Sequence, residues 1–292
     1  MADLDKRRSQ NVKSNFFVDS TCIDCGTCYW MAPSVFKNND GKSAVFSNPN
    51  SEEESLSSYR ALYSCPTNSI GVEKKDELNK KALENIPYSI EDNVFHCGFH
   101  SEKSYGATSY FIKGENKNYL IDSPRFTSHL EKFFIMNNGI DYQLLTHKDD
   151  IADTDKYWEK FQGRRYIHVA DSNEKTIHFE EHWKGSSPIQ FDDEMLIIPV
   201  PGHTKGSVVF LYKERFLFTG DHLCFSHNLN HLYAFKSACW YNFNVQIKSM
   251  ENLLDYDFEY VLPGHGAPIK LSKIDMKKSL TKCITWMKSI DF

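Results

Sequence analysis

Residues 201–207 read PGHTKGS: a Pro-Gly pair, a histidine, then small polar residues and a lysine. The apolar run MLIIPV (195–200) precedes it and SVVFLY (207–212) follows, so a turn carries His203 between two strands. A Pro-Gly turn leaves the imidazole exposed at a sheet edge. Three other strand ends have the same construction. YQLLTH (142–147) delivers His147, RFLFTG (215–220) runs into Asp221 and His222, and YVLPGH (260–265) delivers His265. Ligands at strand ends along one edge can converge on a single metal. Outward from these, TSYFIK (108–113), NYLID (118–122) and YIHVA (166–170) also read as strands, with helical patterns at 127–136, 151–162, 243–255 and 272–289. Alternation of this density suggests a layered α/β arrangement.

Taken together, LLTHKDD, PGHTKGS, TGD and PGHG, in that order, resemble the metallo-β-lactamase superfamily over roughly residues 93–270. The resemblance implies an αββα sandwich with five short motifs around one or two metals. THKDDIAD (146–153) departs from the family's second motif, T-H-x-H-x-D-H. His147 keeps the first histidine, Asp149 replaces the second, Ile151 replaces the aspartate and Ala152 the last histidine. Ile and Ala have no lone pair to give, so the second site keeps at most Asp221 and His265. The expected metal ligands are therefore His147, Asp149, His203, Asp221 and His265, for one mononuclear ion. Two histidines with one or two carboxylates suit iron or manganese better than zinc. Asp221 is also read as orienting a nucleophile, and His222 as a proton donor. Asp149, Asp150 and Asp153 have a competing reading as caps where a helix begins.

Other polar residues are weaker candidates. His96 and His100 stand near the expected mouth, although core or loop roles suit them better. His227 and His231 could rim the pocket, and Arg125 could present a cation to an anionic substrate. HFEEH (178–182) lacks the metalloprotease order and reads as a solvated strand or turn.

The N-terminal segment carries different chemistry. CIDCGTC (22–28) is C-x2-C-x2-C, a spacing that wraps three thiolates around one face of an iron–sulfur cubane. The position that would serve a second cluster is Ala32, so Cys65, before Pro66, supplies the remote fourth ligand. Over roughly residues 15–75 the segment resembles single-cluster [4Fe-4S] ferredoxins, which implies cluster ligands Cys22, Cys25, Cys28 and Cys65. A [3Fe-4S] form and a four-cysteine zinc knuckle are the alternatives. Cys97, Cys224, Cys239 and Cys283 read as small apolar core residues. Residues 73–92 read as a short helix or linker, which sets the expected order: a ferredoxin-like domain (1–78), a linker (79–92) and a metallo-β-lactamase-like domain (93–292) in an α+β chain.

Composition sets the outer bounds. The 292 residues are 40% hydrophobic and 25% charged, with a formal charge of −5. No block of like charge suggests nucleic acid, and no apolar run is long enough for a membrane span. The N-terminus has no secretory h-region, and an air-sensitive cluster suits a reducing interior, so the expected location is the cytoplasm. Three functions fit. One is redox catalysis on a small-molecule substrate, with electrons from a reductase or another carrier. Another is metal-dependent hydrolysis of an ester, thioester or lactone, with a structural or regulatory cluster. The third is a non-catalytic scaffold with a decayed site.

Overall fold

The computed structural model describes residues 2–290. By packing, the chain forms two compact units. The first runs to Ile140 and includes Ala152–Phe161; the second holds Asp141–Ile151 and the chain from Gln162 onward.

In the first unit, β1 (Phe16–Val18) pairs antiparallel with β4 (Ile70–Val72), and β2 (Phe36–Asn38) forms a hairpin with β3 (Ser43–Val45). The helix α1 (Thr27–Met31) follows the three-cysteine loop, and α2 (Glu52–Ser64) leads to Cys65. Ser51 starts α2 by accepting the Glu54 N–H at 3.1 Å, and three glutamates fill its first turn, where the helix dipole favours negative charge. Phe16, Val18, Val45, Leu56 and Tyr59 make the small core between these elements. The stretch read as a short helix or linker, 73–92, carries α3 (Glu77–Glu84) and β5 (Tyr88–Glu91).

A meander follows, in which β5, β6 (Val94–His96), β7 (Tyr110–Lys113) and β8 (Asn118–Ile121) pair antiparallel in sequence order. Phe111 and Leu120 meet Leu130 and Phe134 of α4 (Ser128–Met136) and Tyr157 of α5 (Thr154–Phe161). The Phe111–Phe134 and Phe134–Tyr157 ring centroids lie 5.0 and 5.7 Å apart, a geometry favoured by aromatic quadrupoles.

The second unit contains the parallel strands β9 (Tyr142–Leu144), β10 (Arg164–His168) and β11 (Glu181–Trp183). It also contains β12 (Ile189–Gln190), β13 (Met195–Pro199), β14 (Val208–Tyr212) and β15 (Phe216–Gly220), joined antiparallel. A hairpin of β16 (Cys224–Ser226) and β17 (His231–Tyr233) precedes α6 (Phe243–Asn252). Then β18 (Tyr260–Pro263) adds parallel to β15, and β19 (Ile269–Lys270) closes that sheet before α7 (Lys273–Ser289). Every residue of β14 and β15 is buried, which explains their unbroken apolar runs. Val209, Leu211, Leu217 and Val261 pack with Met250 of α6 and Leu280 of α7.

All eight strands read from the sequence form, most of them a residue or two shorter, and so do the four helices. Among the strands without a sequence signal, β11, β12 and β19 have two or three residues with at most one buried. No alternation can show over so short a span. Cys97, Cys224 and Cys283 are buried, as expected of core thiols, while Cys239 is only partly so.

Leu280 is fully buried in the α7 interface, whereas Ile177 is 68% exposed. We expect Leu280→Ala to cost about 2–5 kcal/mol and Ile177→Ala less than about 0.5 kcal/mol. Urea midpoints of the two variants measured side by side would check this.

Candidate metal centre

The histidine-bearing strand end is held on both sides. The Leu145 N–H donates to Tyr166 O at 3.0 Å, and the Val208 N–H donates to Thr146 O at 2.9 Å. His147 thus arrives at a buried position with 1% exposure. The end of β15 then comes in against it. Gly220 has φ +48°, and a Cβ there would lie 2.3 Å from Thr146 Oγ1, so the position needs glycine on both counts. Next to it, a Cβ on Gly264 would come within 2.7 Å of Asp150 Oδ2 and 2.9 Å of Asp221 Oδ1. Gly220 of TGD and Gly264 of PGHG are therefore what let these three chain segments meet.

Four donor atoms face one another. Asp149 Oδ2 lies 3.6 Å from His203 Nε2 and 3.9 Å from His147 Nε2. Asp221 Oδ2 lies 3.8 Å from each of the same nitrogens. The two imidazoles stand edge to face, with centroids 4.7 Å apart. Both Nε2 atoms are buried without a hydrogen-bond partner among the described residues. An orphaned buried nitrogen costs on the order of 1–3 kcal/mol, and two aimed at the same carboxylate oxygens are difficult to explain except as ligands. Tetrahedral donors about 2.1 Å from an ion sit about 3.4 Å apart, so these separations would close slightly around a cation. The residues fit a bound metal ion.

Asp221 also faces the other way, with its Oδ1 2.7 Å from His265 Nδ1. Asp150, for which the sequence left cap and ligand readings open, is buried and forms a second possible trio with His147 and Asp221. Asp153 is engaged elsewhere: in the first unit its carboxylate takes Lys103 Nζ at 2.6 Å and the Phe126 N–H at 2.9 Å. Of the aspartates in THKDDIAD, the structure brings Asp149 and Asp150 to the centre.

Burial pushes the His147 ring down to about 4; Asp221 and Asp149 pull it up, and His203 adds to the depression. Burial alone would raise Asp221, but the charge and hydrogen bond of His265, then His147 and His203, hold it well below the carboxylate range. Asp149 is also lowered, chiefly by the His203 ring beside it. A neutral His147 ring thus stands beside two ionised carboxylates, the forms in which such groups bind a metal. His222 is buried, and burial with the nearby His203 takes it down to about 3. It is neutral, so any proton it gives comes from the N–H of the neutral ring.

A residue the sequence did not flag organises the centre. Asp171 is buried; it accepts the Lys148 N–H at 3.1 Å, the Thr204 hydroxyl at 2.6 Å and the Gly206 N–H at 2.8 Å. One carboxylate thereby ties the turn after His147 to the turn after His203. Its only signal was an aspartate closing the strand-like YIHVA, too common to single out.

His231 and His182 have local partners of their own. His231 Nδ1 is 2.6 Å from Leu232 O with its ring near Trp286, and His182 Nε2 lies 3.1 Å from Thr176 O. Arg125 is half-buried. In the first unit its Nη1 reaches Pro66 O at 3.4 Å and Asn68 Oδ1 at 3.2 Å, in the chain just after Cys65.

The four N-terminal cysteines line one cavity. Backbone N–H groups are aimed at their sulfurs: Ser69 donates to Cys65 Sγ at 3.2 Å, and Ser43 to Cys22 Sγ at 3.4 Å. Burial pushes Cys25 up to about 11 and Cys28 well above a free thiol. Thiolates are costly there until positively charged iron takes them, which suits a cluster site.

Comparison with known proteins agrees with both halves of this description. Residues 18–72 match the family described as the 4Fe-4S single cluster domain of Ferredoxin I, which sets the zinc-knuckle alternative aside. No curated protein matches the chain. Among solved structures, the chain is similar to the DIM-1 metallo-β-lactamase exposed to ceftazidime, with TM-score 0.52 and 18% identity over 68% of this chain and 95% of that one. It is similar to VMB-1 at pH 5.5, with TM-score 0.51 and 17% identity over 66% and 95%. It is also similar to a metallo-β-lactamase from Erythrobacter litoralis, with TM-score 0.51 and 11% identity over 69% and 91%. At such identities the likeness is one of fold. The chain is a metalloprotein that joins a single-cluster ferredoxin segment to a metallo-β-lactamase-type sandwich.

Asp171→Asn removes the charge that orients both turns but no ligand atom. We expect metal affinity to fall about 10–100-fold with the fold retained. A chelator-competition titration beside a circular dichroism spectrum would check it, and unchanged affinity would refute the orienting role.

Proposed function

We propose that the chain is a metal-dependent oxidoreductase acting on a small molecule, with its ferredoxin segment supplying single electrons. The observation that carries this reading is the donor set itself. Two imidazole nitrogens and two carboxylate oxygens make a harder, more anionic environment than three histidines, and that favours iron(II) or manganese over zinc. A redox-active ion bound there would supply one-electron chemistry, which zinc cannot. A [4Fe-4S] segment in the same chain is then explained as a carrier rather than an ornament.

His147, Asp149, His203 and Asp221 would hold the ion, with His265 fixing the Asp221 carboxylate through its other oxygen. Trp240 and Tyr241 donate their backbone N–H groups to His203 O at 2.9 and 3.0 Å. Their side chains are 66% and 48% exposed, and the Trp240 ring lies 6.3 Å from that of His203, an aromatic surface for the apolar part of a substrate. Electrons would arrive from a reductase or a small carrier. No helix among the described residues is long and apolar enough to cross a membrane.

One observation favours a second reading, metal-dependent hydrolysis. Asp150 joins His147 and Asp221, so acidic ligands persist on the side where Ile151 and Ala152 offer none. A bound ion would then lower the pKa of water to about 7 for attack on an ester, thioester or lactone.

Metal analysis separates the two. Protein assembled with iron and sulfide should hold about one iron per chain beyond the cluster's four. His203→Ala should lose that extra iron and keep the cluster's absorbance. Stoichiometric zinc with cluster iron alone, and ester hydrolysis surviving in Cys65→Ala, would transfer the assignment to the hydrolase.

A further inference from the structure

The loop after β6 covers the Cys25 side of the cluster cavity, although it lies outside the 18–72 ferredoxin match. A Cβ on Gly106 would sit 2.8 Å from Cys25 Cβ and 2.9 Å from its Sγ, so this backbone is laid directly on the cysteine. On the same side, two histidines that the proposed catalysis does not use are fully enclosed: His96 is 2% exposed and His100 0%. Tyr88 stacks on His96 at 4.4 Å, and Trp30 and Tyr110 close its edges at 5.8 and 5.9 Å.

Their contacts form one line toward the cluster. The Gly98 N–H donates to His96 Nδ1 at 3.0 Å. His96 Nε2 lies 3.4 Å from His100 Nε2, His100 Nδ1 lies 3.2 Å from Thr27 Oγ1, and Thr27 Oγ1 lies 3.5 Å from Cys25 Sγ. The first bond fixes the rest. An Nδ1 that accepts has no proton, so neutral His96 carries its proton on Nε2 and donates it to His100 Nε2. His100 must then carry its proton on Nδ1 and donate to Thr27. The hydroxyl, already accepting, has its own proton left to give. Gly106 O at 3.4 Å is one acceptor and the Cys25 sulfur is the other; a cluster-bound thiolate, being anionic, is the stronger. Burial, then the neighbouring His100, keeps His96 well below its usual range and so neutral.

We infer that Gly98, His96, His100 and Thr27 form a directional hydrogen-bond relay that donates to the Cys25 thiolate and raises the reduction potential of the cluster. A donor to a ligand sulfur stabilises the form with one more negative charge, and a polarised chain donates more strongly than an isolated hydroxyl. The relay makes His96, His100 and Thr27 positioning residues for the cluster, supplied in part by a segment beyond the ferredoxin match. The inference rests on the ferredoxin assignment alone and is independent of which reaction the other centre performs.

The test is the midpoint potential of the assembled full-length chain, from EPR-monitored titration with dithionite. Thr27→Val and His100→Leu should each shift it to more negative values. The double variant should shift no further than Thr27→Val alone, because both cut one line. Ser43→Ala removes the separate hydroxyl 3.0 Å from Cys28 Sγ, and its shift should add to that of His100→Leu. His100→Asn restores a donor toward Thr27 and should recover most of the loss. A His100→Leu potential equal to wild type, or shifts of Thr27→Val and His100→Leu that simply add, would overturn the relay. A second measurement needs no substitution. In 15N-histidine spectra of the oxidised protein, His96 should be the Nε2–H tautomer and His100 the Nδ1–H tautomer, and the reverse pair would overturn the proposal.

Discussion

The burial of two imidazole nitrogens without hydrogen-bond partners is the constraint that orders the second unit. His147 and His203 are both almost fully enclosed, and their Nε2 atoms look at the same two carboxylate oxygens. Such an arrangement is unfavourable in a protein without a cation and favourable with one. Much of the surrounding backbone serves it. Gly220 and Gly264 remove the side chains that would keep the strand ends apart, and Asp171 fastens the two histidine turns together with three hydrogen bonds.

The same economy of charge governs the first unit. Burial makes Cys22, Cys25 and Cys28 poor thiolates by themselves. The backbone N–H groups of Ser43 and Ser69 and the Ser43 hydroxyl are already turned toward the sulfurs. Thr27, His100 and His96 extend that preorganisation beyond the ferredoxin segment, through side chains whose tautomers follow from one backbone donor. The two centres share a principle: anionic ligands are paid for in advance by fixed dipoles and by the ion they await.

Much of this was legible in the sequence, and the parts that were not share a cause. The long apolar strands and amphipathic helices announced themselves through periodicity, and the cysteine spacing named the cluster, because these signals are local. Short strands such as β11 and β12 have no periodicity to read. Asp149 was placed among the ligands by its offset from His147. Asp150 was not separable from a helix cap, since only folding decides which aspartate turns inward; it packs beside Gly264, more than a hundred positions away in the chain. Arg125 reaches the chain after Cys65, a contact across about sixty residues that no local signal announces.

The letters alone therefore determined the four-cysteine spacing of the N-terminal segment, the order of the two folds and the residue types gathered at the candidate centre, since spacing and side-chain chemistry are written in one dimension. Only the tertiary structure decided which carboxylates meet which imidazoles, that Asp171 links two turns, and that two core histidines line up on Cys25. Those outcomes depend on distances between segments remote in sequence. Such distances exist only once hydrophobic burial has packed the strands and glycines have let their ends approach.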